Sequence, residues 1–155
     1  ETEGATRLPI NQGTTIRFDA LTAIDVAAGG GSPIISLFHG TRRPDPIAIR
    51  LLERHPLGSQ AFYPLVDAEW LVVVATGNSD DTAPDFTSLR CFLASGTQGV
   101  SYARGTWHHP LLVLLPEQDF LVVDRAAPAK EVAGKNLDEV WFDGLDGIAA
   151  LIPKI

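Results

Sequence analysis

The stretch LLERHPLGSQAFYPL, Leu51–Leu65, holds two short runs of strand character on either side of the turn-forming segment HPLGS. The first run is aliphatic and then charged. The second alternates, with Gln60, Phe62 and Pro64 on one parity. Neither has the length or spacing of an amphipathic helix, and both fit strands of ordinary length. The same grammar continues outward. IRFDALT, PIISLFHG, EWLVVVATG, LRCFLAS, GVSYARG, HPLLVLL and DFLVVDR are short apolar or alternating runs, separated by turn formers in AAGGGSP, TRRPDP, GNSDDTAPD, SGTQG and PEQD. Many short strands at close spacing predict an all-β sandwich or barrel. The runs around Val72 and Val113 are apolar throughout, which predicts strands buried on both faces. Farther on, Leu137, Val140, Trp141, Leu145, Ile148, Leu151 and Ile152 recur at roughly helical intervals. Residues 134–155 are therefore expected to form a short helical appendage, packed on the barrel or on a second subunit.

A chain of 155 residues, 45% of them hydrophobic, suits one domain with a substantial core, and 1–155 is read as a single domain. Twelve basic against nineteen acidic residues give a formal charge of -7. That balance disfavours nucleic acid or an anionic membrane as partner, because either needs a clustered basic face. A small anion needs only one or two arginines in a pocket. No apolar run approaches the roughly 20 residues of a membrane span. The single cysteine, Cys91, lies in the apolar run LRCFLAS and is expected to be a small buried hydrophobe. One cysteine makes no internal disulfide, so a reducing, cytoplasmic setting is expected. The glycine run AAGGGSP lacks the GxxxxGK pattern of a phosphate loop, and no GxSxG elbow marks a serine hydrolase.

Three of the four histidines fall in two dense motifs, ERHPLGSQ and GTWHHP. Glu53 and His55 are two apart, so on a strand both side chains leave from one face, while Arg54 points away, towards a second subunit. If the chain folds back at PLGS, Gln60 joins them. Adjacent histidines on a strand face opposite ways, so one of His108 and His109 is expected in the pocket. His109 is taken as inward and His108 as supporting. Two imidazoles, a carboxylate and an amide oxygen suit a divalent cation such as Ni, Mn, Zn or Fe, held by His55, Gln60 and His109. The alternative is a hydrogen-bonded polar cluster that holds no metal. Tyr102 and Arg104 alternate in VSYARG and can share a pocket face, whereas Ser101 faces the other way. Arg90 opens an apolar strand, and a carboxylate partner is expected for it there. Trp107 reads first as a core aromatic and second as a substrate contact. Asp124-Arg125, closing DFLVVDR, reads as a surface ion pair or a strand terminus.

ERHPLGSQAF, LRCFLASGTQGVSYARGTWHHPL and DFLVVDR together resemble the ureidoglycolate lyase family, in order and with compatible spacing from Ser36 to Arg125. The resemblance implies a cupin-like double-stranded β-barrel (a jelly roll), a homodimer, and cleavage of ureidoglycolate to glyoxylate and urea in allantoin and purine breakdown. It implies no organic cofactor and no nucleic-acid or membrane partner, and leaves open one divalent metal (Ni, Mn or Zn). Three features depart from the family pattern. A further N-terminal segment is expected to end in a phrase whose last residue is Glu1. His39 stands where an arginine is usual, with Arg42 or Arg43 as substitutes. The C-terminal stretch is also longer. The chemistry needs a base for the hydroxyl proton and assistance to the departing ureido nitrogen. His55 or His109 is assigned as base and Glu53 as the complementary group. Arg90, Tyr102, Arg104, Gln60 and Trp107 are assigned to substrate binding. Two other readings are a cupin-type metalloenzyme for another small hydroxy acid and a glyoxylate-binding sensor barrel.

Overall fold

The computed structural model describes residues 2–155, so Glu1 and its expected place in the family phrase lie outside the described residues. The first strands are β1 (Thr6–Ile10), β2 (Thr15–Asp19), β3 (Ser32–Thr41), β4 (Ile47–Ile49), β5 (Leu51–Arg54) and β6 (Gln60–Pro64). Then come β7 (Trp70–Ala75), β8 (Arg90–Ala94), β9 (Val100–Tyr102), β10 (Trp107–His108) and β11 (Leu112–Val113). The last are β12 (Glu117–Ala126), β13 (Asp138–Trp141) and β14 (Ala150–Ile152). The chain is all-β as its patterning predicts, and every pairing is antiparallel.

Two sheets carry the architecture. One has four strands in the order β3-β12-β6-β9. The other has six, in which β7 pairs β8 on one side and β10 and β11 on the other, with β5 and β13 beyond β10. The arrangement is consistent with a cupin-like sandwich, but the sheets remain separate and no closed barrel forms among the described residues. Phe62, Tyr102, Phe120 and Val122 of the four-stranded sheet pack against Trp70, Val72, Ala94 and Val113 of the six-stranded one. Trp70 and Phe120 meet edge to face at 4.9 Å between centroids, a geometry favoured by the ring quadrupoles.

The opposite face of the six-stranded sheet is also covered. Leu52, Leu71, Val73, Trp107 and Leu112 pack there against Ile47 and Ile49. That second layer is why WLVVV carries no polar alternation: Trp70, Leu71, Val72 and Val73 are all buried, two to each core.

The C-terminal stretch corrects the expectation of a helical appendage, because no α-helix forms among the described residues. Asp138–Trp141 instead lies along β5, and Ala150–Ile152 along β4. Gly144 and Gly147 interrupt the helical spacing, and Gly147 adopts the left-handed φ of 60°. The free backbone groups of β4 and β5 are satisfied by these added strands. Cys91 also departs from expectation. It is exposed, since β8 pairs only β7 and leaves Cys91, Phe92 and Leu93 at the surface. Partial burial nevertheless pushes its thiol pKa up.

Candidate active site

The turn HPLGS does not make a hairpin. Strand β5 belongs to the six-stranded sheet and β6 to the four-stranded one, so the chain crosses between the sheets at residues 55–59. Gly58 is needed at the crossing, because a Cβ there would lie 2.7 Å from Arg125 Cβ. Glu53, His55 and Gln60 still converge, because the inner faces of the two sheets look at each other. They line a cavity of about 430 Å³ together with Tyr102, His108 and His109.

The structure changes which histidine joins the pair from the first motif. His108 sits directly opposite Glu53 in the β10–β5 register. Ligand atoms of Glu53, His55 and His108 all lie within 4.8 Å of one another, and His109 is outside this group. Both GTWHHP histidines nonetheless line the same cavity, against the parity expectation. Alternation holds only while the chain is a strand, and β10 ends at His108 with Pro110 following. Gly105, at φ 80°, makes the turn before β10 and donates its N–H to the His55 carbonyl at 2.9 Å, tying the two motifs together.

Hydrogen bonding orients the imidazoles. Nδ1 of His55 is 2.8 Å from the Asn136 carbonyl, Nδ1 of His108 is 2.8 Å from that of Thr106, and Nδ1 of His109 is 2.7 Å from that of Pro110. A carbonyl only accepts, so each Nδ1 carries a proton, and Nε2 is the atom each ring leaves for proton exchange or ligand binding. Nε2 of His55 and Nε2 of His108 are buried without a hydrogen-bond partner among the described residues. His108 Nε2 is 3.7 Å from Glu53 Oε1, beyond hydrogen-bond length. Tyr102 stacks on the His108 ring at 4.1 Å between centroids and 14° between planes.

The electrostatics follow from the dry walls. Burial lowers the His108 pKa to about 4, opposed by the bond to Thr106 and helped by the neighbouring His55 and His109. Burial likewise lowers His109 to about 4, with Arg43 adding to the effect. Glu53 moves the other way: burial raises its pKa, and His55 and Arg43 pull it back. Tyr102 is held in its neutral form by burial and by Glu53. Neutral imidazoles therefore face a carboxyl group with increased affinity for a proton.

Several expected contacts fall elsewhere. Arg90 is exposed and donates to the Ser88 and Leu89 carbonyls, and exposed Arg104 lies 3.7 Å from Asp25. Neither lines the cavity. β8 runs at the outer edge of its sheet, and Arg104 lies two residues past the end of β9, in the turn that follows. Trp107 is 1% exposed in the second core, with the Arg54 guanidinium 4.5 Å over its ring. Arg54 points away from the cavity as expected, but its partners are Asp138 and Asp81 of the same chain. Arg125 is at the end of β12 but makes no surface pair. It is buried, with two short bonds to Glu131 and others to the Ala28 carbonyl.

Sequence reasoning missed Asn136 and the inward role of Asp124, and named Arg43 only as a substitute for the arginine usual at position 39. Asn136 accepts from His55 through its carbonyl and from the Leu57 N–H through Oδ1, an arrangement without local signal. Arg43 acts electrostatically on both Glu53 and His109, while Arg42 is occupied by Asp45 and the Leu114 carbonyl. Asp124 lies inward beyond Val122, and its parity with buried Phe120 and Val122 was a usable signal. His39, also at the cavity wall, is paired with Asp119 at 2.6 Å.

Comparison with known proteins places the chain in one family. The family described as ureidoglycolate lyase matches residues 1–147. A ureidoglycolate lyase of Burkholderia mallei is 50% identical over 143 residues, 92% of this chain and 82% of its own. That of Azotobacter vinelandii is 46% identical over 142 residues, 92% and 81% of the two chains. That of Pseudomonas syringae pv. tomato is 44% identical over 143 residues, 92% and 79%.

Proposed function

The chain belongs to the ureidoglycolate lyase family, and from that premise we propose that it cleaves ureidoglycolate to glyoxylate and urea in the cavity between its two sheets. The observation that carries the site assignment is the meeting of Glu53 with two buried, unpartnered imidazole Nε2 atoms on His55 and His108. The substrate carbon bears a hydroxyl, a carboxylate and the ureido nitrogen. Elimination removes the hydroxyl proton, forms the C=O bond, breaks the C–N bond and delivers a proton to the departing nitrogen. No water is consumed, so the reaction is a lyase step.

In this reading His55 accepts the hydroxyl proton at Nε2. Glu53, whose burial favours the protonated form, donates to the ureido nitrogen. The proton then returns from His55 to Glu53 within the cluster, closing the cycle. His108, held neutral and stacked on Tyr102, keeps a lone pair towards Glu53 instead of a competing charge. Neutral His109 and Tyr102 contact the substrate from the cavity wall. Arg43 lies outside the cavity lining, but its charge acts on both Glu53 and His109, and it is assigned the substrate carboxylate because Arg90 and Arg104 are engaged elsewhere.

The same donors fit a divalent cation such as Ni, Mn or Zn. Two orphaned Nε2 atoms and one carboxylate, each imidazole fixed by an Nδ1–H bond to a carbonyl, form a typical ligand set. Glu53, His55 and His108 are then the ligands, in place of the His55, Gln60 and His109 expected from spacing. When bound, such an ion supplies Lewis acidity towards a substrate oxygen.

We also infer a homodimer and a cytoplasmic setting. The outer face of the four-stranded sheet exposes Ile35 (71%), Leu37 (63%) and Tyr63 (53%), an apolar patch suited to a second copy. The cytoplasmic inference rests on the single unpaired cysteine, and no helix among the described residues is long and apolar enough to cross a membrane.

The test follows glyoxylate release from ureidoglycolate, with and without chelator, for wild type and Glu53→Gln. Loss of proton donation should lower kcat by about 100- to 10,000-fold with the circular-dichroism spectrum unchanged. Wild-type turnover in Glu53→Gln would remove Glu53 from the reaction.

A further inference from the structure

Asp124 is an inward-facing carboxylate that the elimination steps leave unused. The β12–β6 register pairs Val122 with Phe62 and Val123 with Ala61, so one further step sets Asp124 across from Gln60. Its parity is that of Phe120 and Val122, both fully buried. Its Oδ1 is shielded from solvent and has no hydrogen-bond partner among the described residues, while the carboxylate as a whole is also influenced by the Gln60 side chain. Asp124 lines a second cavity of about 290 Å³, and His55, Gln60 and Leu137 line this cavity and the reaction cavity alike.

This second chamber is built for a hydrogen-bond donor. Its one arginine, Arg125, is spent on Glu131 and the Ala28 carbonyl, so no cation is left to receive an anion. A shielded carboxylate oxygen without a partner is costly, and a ligand N–H that reaches it gains correspondingly.

We propose that Asp124 accepts the terminal N–H groups of the ureido arm and thereby selects a ureido compound over other substituted glycolates. The proposal rests on the lyase reading of the neighbouring cavity. It also orients the substrate. The glycolate carboxylate lies on the Arg43 side and the neutral ureido end points past His55 and Gln60, which keeps two anions apart. The reverse pose would set the substrate carboxylate against Asp124. An amide NH₂ and a carboxylate pair through short, charge-assisted bonds.

The experiment compares wild type and Asp124→Asn on ureidoglycolate and on its analogue with a dimethylated terminal nitrogen, which has lost those donors. Asp124→Asn should raise KM for ureidoglycolate by about 10- to 100-fold, with a smaller change in kcat. Competitive inhibition by glyoxylate, which lacks the ureido arm, should stay close to wild type. Wild type should disfavour the dimethylated analogue by a similar factor, and Asp124→Asn should discriminate far less. An unchanged KM in the variant overturns the proposal, as does equal loss of glyoxylate and ureidoglycolate binding. If Asp124→Asn does not fold, the wild-type comparison decides alone, and equal kcat/KM for the two substrates overturns it. No acceleration of ureidoglycolate breakdown by wild type would overturn the reaction assignment together with this proposal. Normal wild-type turnover with an indifferent variant overturns this proposal only.

Discussion

Acidification should destabilise this fold through His108, by an amount that its surroundings determine. Burial holds its folded pKa at about 4, against an ordinary value of 6.5. Between those values the unfolded chain binds a proton that the folded protein refuses, so stability falls as pH falls. Above about pH 6.5 the neutral form prevails in both states and the contribution is constant; below about pH 4 the loss is complete. From pH 7 to pH 5 the difference in proton binding amounts to about 2 kcal/mol for this one group. Guanidinium denaturation of wild type and His108→Gln at both pH values, with chelator present, isolates it. Other titrating groups, Glu53 with its opposite shift among them, contribute to both proteins and largely cancel in the double difference. The wild type should lose about 2 kcal/mol more than the variant. Equal pH dependence would mean that folded His108 protonates as readily as unfolded, and the dry, neutral imidazole of the proposed mechanism would fall.

Three further outcomes are expected. Arg43→Ala should raise KM for ureidoglycolate by about tenfold or more, while Arg90→Ala and Arg104→Ala stay near wild type in steady-state kinetics; the reverse pattern would relocate the carboxylate site. Truncation after Asp143 should lower the melting temperature, because β14 covers Ile47 and Ile49, each 1% exposed. An unchanged melting temperature would return this segment to the status of an appendage. Leu52→Ala empties a position with 0% exposure and should cost about 2–5 kcal/mol by chemical denaturation; a cost well under 1 kcal/mol would show a core that collapses around the vacancy.

Much of the site was legible locally, and its gaps have physical causes. Glu53 and His55 share a face because strand parity is a property of neighbouring residues. His108 and His109 defeated the same rule because alternation ends where the strand does, and local pattern does not mark that end within one residue. Asp124-Arg125 read as a surface pair because adjacent opposite charges usually are. In the fold they diverge, Asp124 into the sandwich and Arg125 onto Glu131. Arg90 opens a strand of the right character and Arg104 lies in the turn after one, but their position at the sheet margins was invisible without the strand order.

Residue order alone carries the all-β class, the doubly covered strand at Val72, the two histidine motifs and the family. Each of these depends on residue identity and short-range periodicity. Tertiary structure alone decided that HPLGS crosses between sheets and that the C-terminal residues become strands. It also brought Glu53, His55 and His108 together with a second chamber behind them. These outcomes depend on which edges and inner faces meet across long separations, where hydrogen bonds and burial are satisfied by partners that no local pattern names.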